Sequence, residues 1–595
     1  MDAGMMRVPV RLLSGKAAIL EASKETTVRE FRERLAAWNC DNELDRKITS
    51  VEMMIGSRVL SDEGGTLQEA GVSPEAGVNV VFRQRIAECA TKGESDYDLE
   101  SGEAQVWLNI PEGQEEVESR AFRGCVAVAG ATIPNSVTAI GSGAFRGCRS
   151  LTSVTIPNSV AHIEDSAFER CRSLRSVAIP NSVTQIGELA FAGCSSLTSV
   201  AIPNCVTQVE ESAFQGCGNL RCVSIPNSVT RIGESAFSGC HALASLAIPH
   251  SVTQIGESAF ESCSSLTSVS IPNSVTEIAT CAFAQSISLT SVSLPNSVNQ
   301  IGQCAFLGCS SLTSVTIPNS VKQIAQSSFE LCSALASVTI PNSVTRIGHS
   351  AFAGCSLLAS MTIPNSVAQI EDSAFARCSS LTSVSIPNSV TRIGESAFAA
   401  CRSLASVTIP NSVTEIATCA FAHCISLTSV SIPNSVTHIW QSAFSGCSSL
   451  TSVTIPNSVK QIAESSFEAC SALTGVTIPN SVTRIENSAF AGCSVLANVT
   501  IPNSVAQIED YAFAGCSSLT SVSISNSVTR IGESAFAACR SLESVTIPHS
   551  VTQIDTLAFG HCSSLTSVTI LNPATRISAL AFAGPEKLLR GSGIS

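Results

Sequence analysis

Charge of either sign is scarce in this 595-residue chain: 14% of residues are Asp, Glu, Lys or Arg, and the 34 basic residues stand singly against 47 acidic ones for a net charge of −13. Phosphate binding needs a clustered basic face, so nucleic acid is not expected as a partner. Aromatic residues make up 5%, with three Trp and two Tyr, so few of the side chains that anchor tight protein interfaces are available. No apolar run approaches the roughly 18 to 20 residues of a membrane-spanning helix. The opening MDAGMMRVPVRLLSGKAAILEA alternates and carries charge where a signal peptide needs an unbroken apolar stretch, which predicts a cytoplasmic chain. None of the eight histidines stands with a carboxylate and a nucleophile in a recognisable arrangement. Cys419, His423 and Cys424 come closest to a metal cluster but lack a paired second half, and GSGAFRG at 141–147 does not fit a phosphate loop. The chain reads as a protein without catalytic residues, metal or cofactor, and not as an enzyme.

What fills the chain instead is one sentence repeated, of which SSLTSVTIPNSVKQIAESSFEAC at 448–470 is an example. Of 23 phenylalanines, 21 fall on one column of period 23 from Phe122 to Phe582, so there are 21 units, and a fixed period of this length means a solenoid. Two blocks repeat over a longer range: VTEIATCAFA occurs at 275–284 and 413–422, and VKQIAQSSF at 321–329 returns as VKQIAESSF at 459–467. A six-coil segment has been copied.

Within one unit, Leu450, Val453 and Ile455 follow L-x-x-L-x-L, with Val453 and Ile455 pointing inward and Thr454 outward. Pro456 cannot donate to a ladder and ends the strand. Val459, Ile462, Phe467 and Cys470 are spaced for a turn and a short helical or 3₁₀ segment, which makes the fold class α/β. Nineteen of 26 cysteines share one column three residues after each Phe, the placement of a small buried hydrophobe rather than of a disulfide framework, and it suits a reducing compartment. Strands stacked at about 4.8 Å give a solenoid roughly 100 Å long. Val106, Trp107, Leu108 and Ile110 open a degenerate first unit, and Leu571, Pro573 and Pro585 break the pattern at the end.

The I-P-x-S-V-x-x-I-x-x-x-A-F-x-x-C core over residues 106–586 resembles the BspA-like leucine-rich repeat family. The resemblance implies a curved solenoid with a parallel sheet on its concave side, binding proteins or surfaces. Many members of that family are exported surface proteins with signal peptides, and none is visible here, so adhesion does not follow directly.

Residues 1–83 have another grammar. MRVPVRLL and KAAILEA flank Ser14 and Gly15 as a hairpin, and Thr27 with Glu30 forms a capping box. Val28, Phe31, Leu35 and Trp38 then share one helical face, and three further segments complete a β-β-α-β-β order. With L-S-G-K at 13–16 and T-L-x-x-x-G-V at 66–72, this segment resembles a ubiquitin-like β-grasp domain. The resemblance implies an exposed apolar binding patch at Leu13, Met53 and Val81. Arg83 leads into more chain instead of ending in Gly-Gly, so conjugation is not expected. Residues 84–105 read as a polar linker and 587–595 as a C-terminal cap and tail.

Outward strand positions Thr155, Thr316, Thr339, Thr408 and Thr454 line up coil above coil as a hydroxyl wall. Affinity there must come from many equivalent contacts, as with a repetitive glycan or a multivalent protein. Trp440 stands where other units carry Gly, Ala or Glu, as an indole that could anchor a partner. The leading expectation is a scaffold or adaptor that binds proteins, including ubiquitin-pathway components; the alternative is an adhesin that binds glycans or foreign cells.

Overall fold

The computed structural model describes five strands between residues 5 and 81, residues 106–110 and residues 112–584. The chain divides into two compact units, Met1–Leu266 and Thr267–Ser595.

The first unit opens with β1 (Met5–Leu12), β2 (Ala17–Ser23), β3 (Glu52–Ile55), β4 (Arg58–Val59) and β5 (Val78–Val81). They form one sheet in the order β2-β1-β5-β3-β4. β1 and β2 pair antiparallel, from Met5 opposite Ser23 to Arg11 opposite Ala17, as the expected hairpin requires. β1 runs parallel to β5, and β3 is antiparallel to both β4 and β5. The helix expected from Thr27, the linker and the C-terminal tail lie outside the described residues.

In both units each 23-residue coil contributes two short strands. The first centres on the S-V-T or S-V-S triplet. Ser153–Thr155 pairs in parallel with Ser176–Ala178 in the first unit, and Ser406–Thr408 with Ser429–Ser431 in the second, so like stacks on like. Val453 and Ile455 are buried while Thr454 is exposed, as a pleat of period two demands. After Pro456 the chain turns, and the Val459 N–H donates to the Pro456 carbonyl at 3.1 Å.

The second strand is two residues long and is where the α/β expectation fails. Gln461–Ile462 pairs in parallel with Arg484–Ile485, and equivalent pairs recur in both units, for example Arg231–Ile232 with Gln254–Ile255. No helix occurs among the described residues. The Phe segment, expected to be helical or 3₁₀, is a train of turns, and its hydrogen bonds show why. The Ser466, Glu468 and Cys470 N–H groups bond back to carbonyls three residues earlier, whereas the Ser465, Phe467 and Ala469 N–H groups donate to Asn487, Ala489 and Ala491 of the next coil. Ser465 and Ala469 hold φ of 53° and 57°, in the left-handed region that breaks any right-handed helix. Every second amide is therefore taken by the neighbouring coil, and packing overrides local helix propensity.

The core follows from the same translation. In the first unit the rings from Phe122 to Phe260 stack at 5.2–5.5 Å where neighbouring pairs are described. In the second unit the rings from Phe283 to Phe582 form a column of their own at 5.2–5.6 Å. Beside them run the column cysteines, buried, with no disulfide among the described residues. Their S–H groups donate to the Phe carbonyl of the preceding coil, as Cys171 does to Phe145 at 3.1 Å and Cys424 to Phe398 at 3.2 Å. The first coil is closed by Trp107, whose indole lies over Gly130 and donates to Thr132 Oγ1 at 3.3 Å; a Cβ on Gly130 would sit 2.5 Å from the ring.

Candidate functional site

The hydroxyl groups that dominate the composition sort into two classes. One class ties coils together. Ser182 Oγ donates to the Val160 carbonyl at 2.7 Å, Thr451 Oγ1 to Thr428 at 3.2 Å, and Ser471 Oγ to Ser448 at 3.2 Å, each reaching one coil back. These columns serve the architecture, a role the sequence reading did not separate from binding. The other class faces solvent. Thr155, Thr316, Thr339, Thr408 and Thr454 are all exposed. Thr316 stands directly beside Thr339, Thr408 beside Ser431 and Thr454 beside Thr477 in the second unit, while Thr155 stands beside Thr132 in the first. With exposed Ser314, Ser337, Ser406 and Ser452 two positions earlier, each of these four coils presents two hydroxyls on the strand face. Each can donate and accept, and adjacent coils repeat the pair every ~4.8 Å.

Trp440 does not join this wall, because it follows the second strand, on another side of the coil. Its indole is 39% exposed, stacks on the His438 ring at 5.3 Å and donates from Nε1 to Glu415 Oε2 at 3.0 Å. It borders a shallow recess of about 320 Å³ lined also by Asp372, Arg392, Glu395, Glu415 and Thr418. A second recess, in the first unit, is about 240 Å³ and lined by Ser150, Thr152, Ser173, Arg175 and Ser196.

Ion pairs next to the second strands form a lattice that sequence reading missed. Glu371 bridges Arg346 at 2.9 Å and Arg392 at 3.2 Å, and Arg392 also holds Asp372 at 3.0 Å. The same set recurs six coils on, where Glu509 bridges Arg484 at 3.2 Å and Arg530 at 2.9 Å, with Asp510 at 2.9 Å. The signal was legible as an E-D pair with Arg 25 residues before and 21 after the Glu, a spacing that has meaning only once coils are stacked. The copies differ beside the lattice: Asp555 gives Arg530 a further partner at 2.6 Å, where the first copy has Ala417 and, nearby, Trp440.

The remaining sequence candidates separate. Met53 stands opposite Val80 and Val81 opposite Glu52, one register step apart on β3 and β5, and Leu13 lies outside the described residues. Cys424 turns into the core while Cys419 and His423 sit at left-handed turn positions, and among the described residues no group of three ligands is placed to hold a metal. Burial pushes the core thiols of Cys424, Cys470 and Cys516 up to about 12, so these three stay protonated at neutral pH. Among the described residues no helix is long and apolar enough to cross a membrane.

Comparison with known proteins places these coils. The profile described as the BspA type leucine rich repeat region matches six times, in overlapping stretches that together span residues 115–589. A leucine-rich repeat protein of Bacteroides ovatus has a similar crystal structure, with 35% identity and a TM-score of 0.52 over 54% of this chain and 85% of that one. A protein of Faecalibacterium prausnitzii described as a leucine rich cell surface protein is 28% identical over 62% of this chain and 86% of its own, with a TM-score of 0.31. No protein of curated function matches the sequence.

Proposed function

This chain belongs to the BspA-type leucine-rich repeat family, and from that premise we propose that it is a non-catalytic binding scaffold. The observation that carries the reading is the outward hydroxyl wall, held in register by hydroxyls tied to the neighbouring coil and by buried thiols and rings. A surface of many identical weak sites gains affinity by multivalency and suits a repetitive or multivalent partner. Trp440, stacked and hydrogen-bonded yet 39% exposed, supplies a separate aromatic anchor. In its concrete form the scaffold is a cytoplasmic adaptor whose N-terminal segment is a non-conjugated ubiquitin-like module read by ubiquitin-pathway proteins. The sheet order β2-β1-β5-β3-β4, with β1 and β5 parallel, supports that module.

A second reading is surface adhesion, in which the same wall binds glycans; the scarcity of aromatic and Arg anchors on the strand face favours it. One experiment separates the two. The full chain is used as bait in lysate from its source cells, beside Met53→Ala and Val81→Ala as single variants, and a quadruple variant carrying Thr316→Val, Thr339→Val, Thr408→Val and Thr454→Val. Ubiquitin-pathway proteins lost from the two N-terminal variants support the adaptor. Glycoproteins lost only from the quadruple variant support adhesion, and a retained set insensitive to every variant sinks both.

A further inference from the structure

We propose that Cys281 and Cys304 are a thiol-disulfide modification site that closes into a bond between adjacent coils, with a low-molecular-weight disulfide such as oxidised glutathione as the oxidant. The position two residues before the ladder Phe is serine in most coils, and Cys replaces it at 281, 304 and 419. Cys281 and Cys304 are one repeat apart and both are partly exposed, unlike the column thiols of the core. The Cys281 N–H donates to the Gln303 carbonyl and the Phe283 N–H to Ala305, each at 2.9 Å, which fixes Cys281 beside Cys304. Phe283 and Phe306, two residues on, stack at 5.6 Å with their planes 4° apart, so the two coils are related here by a near-pure translation. Cα atoms joined by a disulfide are usually about 4.4–6.8 Å apart, a range that contains this step.

Side-chain direction agrees. Both cysteines hold the left-handed conformation, φ 55° and 56°, so their Cα–Cβ bonds run alongside one another instead of diverging. The reach can be read at the same column in the first unit, where a Cβ built on Gly143 lies 3.5 Å from Cγ of Arg120 one coil earlier. In cysteine Sγ takes the place of that Cγ. Across a disulfide the equivalent separation is about 3 Å and the two Cβ atoms lie about 3.5–4.5 Å apart, so closure takes side-chain rotation together with a small approach of the two coils. The core thiols are placed differently: Cys309 and Cys332 are buried and donate to the Phe283 and Phe306 carbonyls at 3.2 Å.

The chemistry balances as two exchanges. One cysteine thiolate attacks a sulfur of glutathione disulfide, forming a mixed disulfide and expelling one glutathione thiolate. The second cysteine thiolate attacks the protein sulfur of that mixed disulfide and expels the second glutathione. Two protein thiols lose two electrons and two protons, and one glutathione disulfide becomes two glutathione thiols.

Cys419 is an internal control, since its column neighbours are Ser396 and Ser442. The full chain is incubated in glutathione buffers of rising disulfide content, quenched with acid, alkylated, and mapped as unreduced peptides by mass spectrometry. The expected product is a Cys281–Cys304 linked peptide at least tenfold more abundant than single adducts at either residue, with Cys419 carrying a single glutathione. C281S should convert Cys304 to the single adduct. Serine is the usual occupant of this column, so the variant keeps the fold, and circular dichroism checks that it does. Separate glutathione adducts on Cys281 and Cys304 in the unmodified chain, without the linked peptide, would overturn the proposal.

Discussion

Replacing Phe352 with alanine removes one ring from the middle of a stack. Phe352 is fully buried and lies 5.5 Å from both Phe329 and Phe375. Excising a buried phenyl costs about 3–5 kcal/mol, because transfer, cavity and contact losses add. In a globular domain that loss is spread over one cooperative unit. In an array where each coil touches only its neighbours, it falls on one coil and its two interfaces. At about 1.4 kcal/mol per factor of ten, amides opened by local unfolding near residue 352 should exchange about 100- to 5000-fold faster. The relevant bonds are those from the Phe329 N–H to Ala351 and from the Phe352 N–H to Ala374, both under 3.0 Å. Hydrogen exchange read by mass spectrometry should show acceleration over residues 329–375 and almost none four coils away. Acceleration spread evenly over residues 267–584, or less than tenfold at the site, would refute the nearest-neighbour reasoning.

Three further outcomes follow from the packing. Ser182→Ala, which removes an intercoil bond of 2.7 Å, should cost about 1 kcal/mol in urea unfolding, whereas Thr155→Ala on the exposed face should stay within about 0.5 kcal/mol. Gly130→Ala should displace Trp107, giving a red-shifted indole emission, since the new Cβ would stand 2.5 Å from the ring. Alkaline pH should unfold the chain: burial raises Cys263, Cys309 and Cys378 to about 12, so the folded state keeps protons that the unfolded state loses above about 9. The urea midpoint should therefore hold steady up to about pH 8 and fall between about pH 9 and 12, by at most ~1.4 kcal/mol per pH unit for each such thiol. A midpoint unchanged at pH 10.5 would contradict the buried-thiol assignment.

The strand face was legible because it depends on alternation within three residues: Val453 and Ile455 in, Thr454 out. The rings and thiols were legible because one period placed them in columns. The second sheet was not, since two residues such as Gln461–Ile462 carry no periodicity, and only the adjacent coil turns them into a strand. The Phe segment was misread as helical for a related reason: Ser465 and Ala469 are ordinary in a helix, and their left-handed φ follows from amides captured by the next coil. Glu371 looked like a scattered surface charge because Arg346 and Arg392 lie 25 and 21 residues away. The wall and Trp440 were named from sequence, but only the coil geometry shows that they occupy different sides.

The identity of register and repeat length has a genetic consequence. Because the strands of successive coils pair residues 23 positions apart, inserting or deleting a multiple of 23 residues within the array is a lattice translation that leaves every contact type in place. Any other length shift moves hydroxyls into the ring column and strand interiors to the outside. Unequal recombination between near-identical repeats can thus lengthen or shorten the chain without designing a new interface. The ion-pair set around Glu371 reappearing whole around Glu509 is what one such event leaves behind.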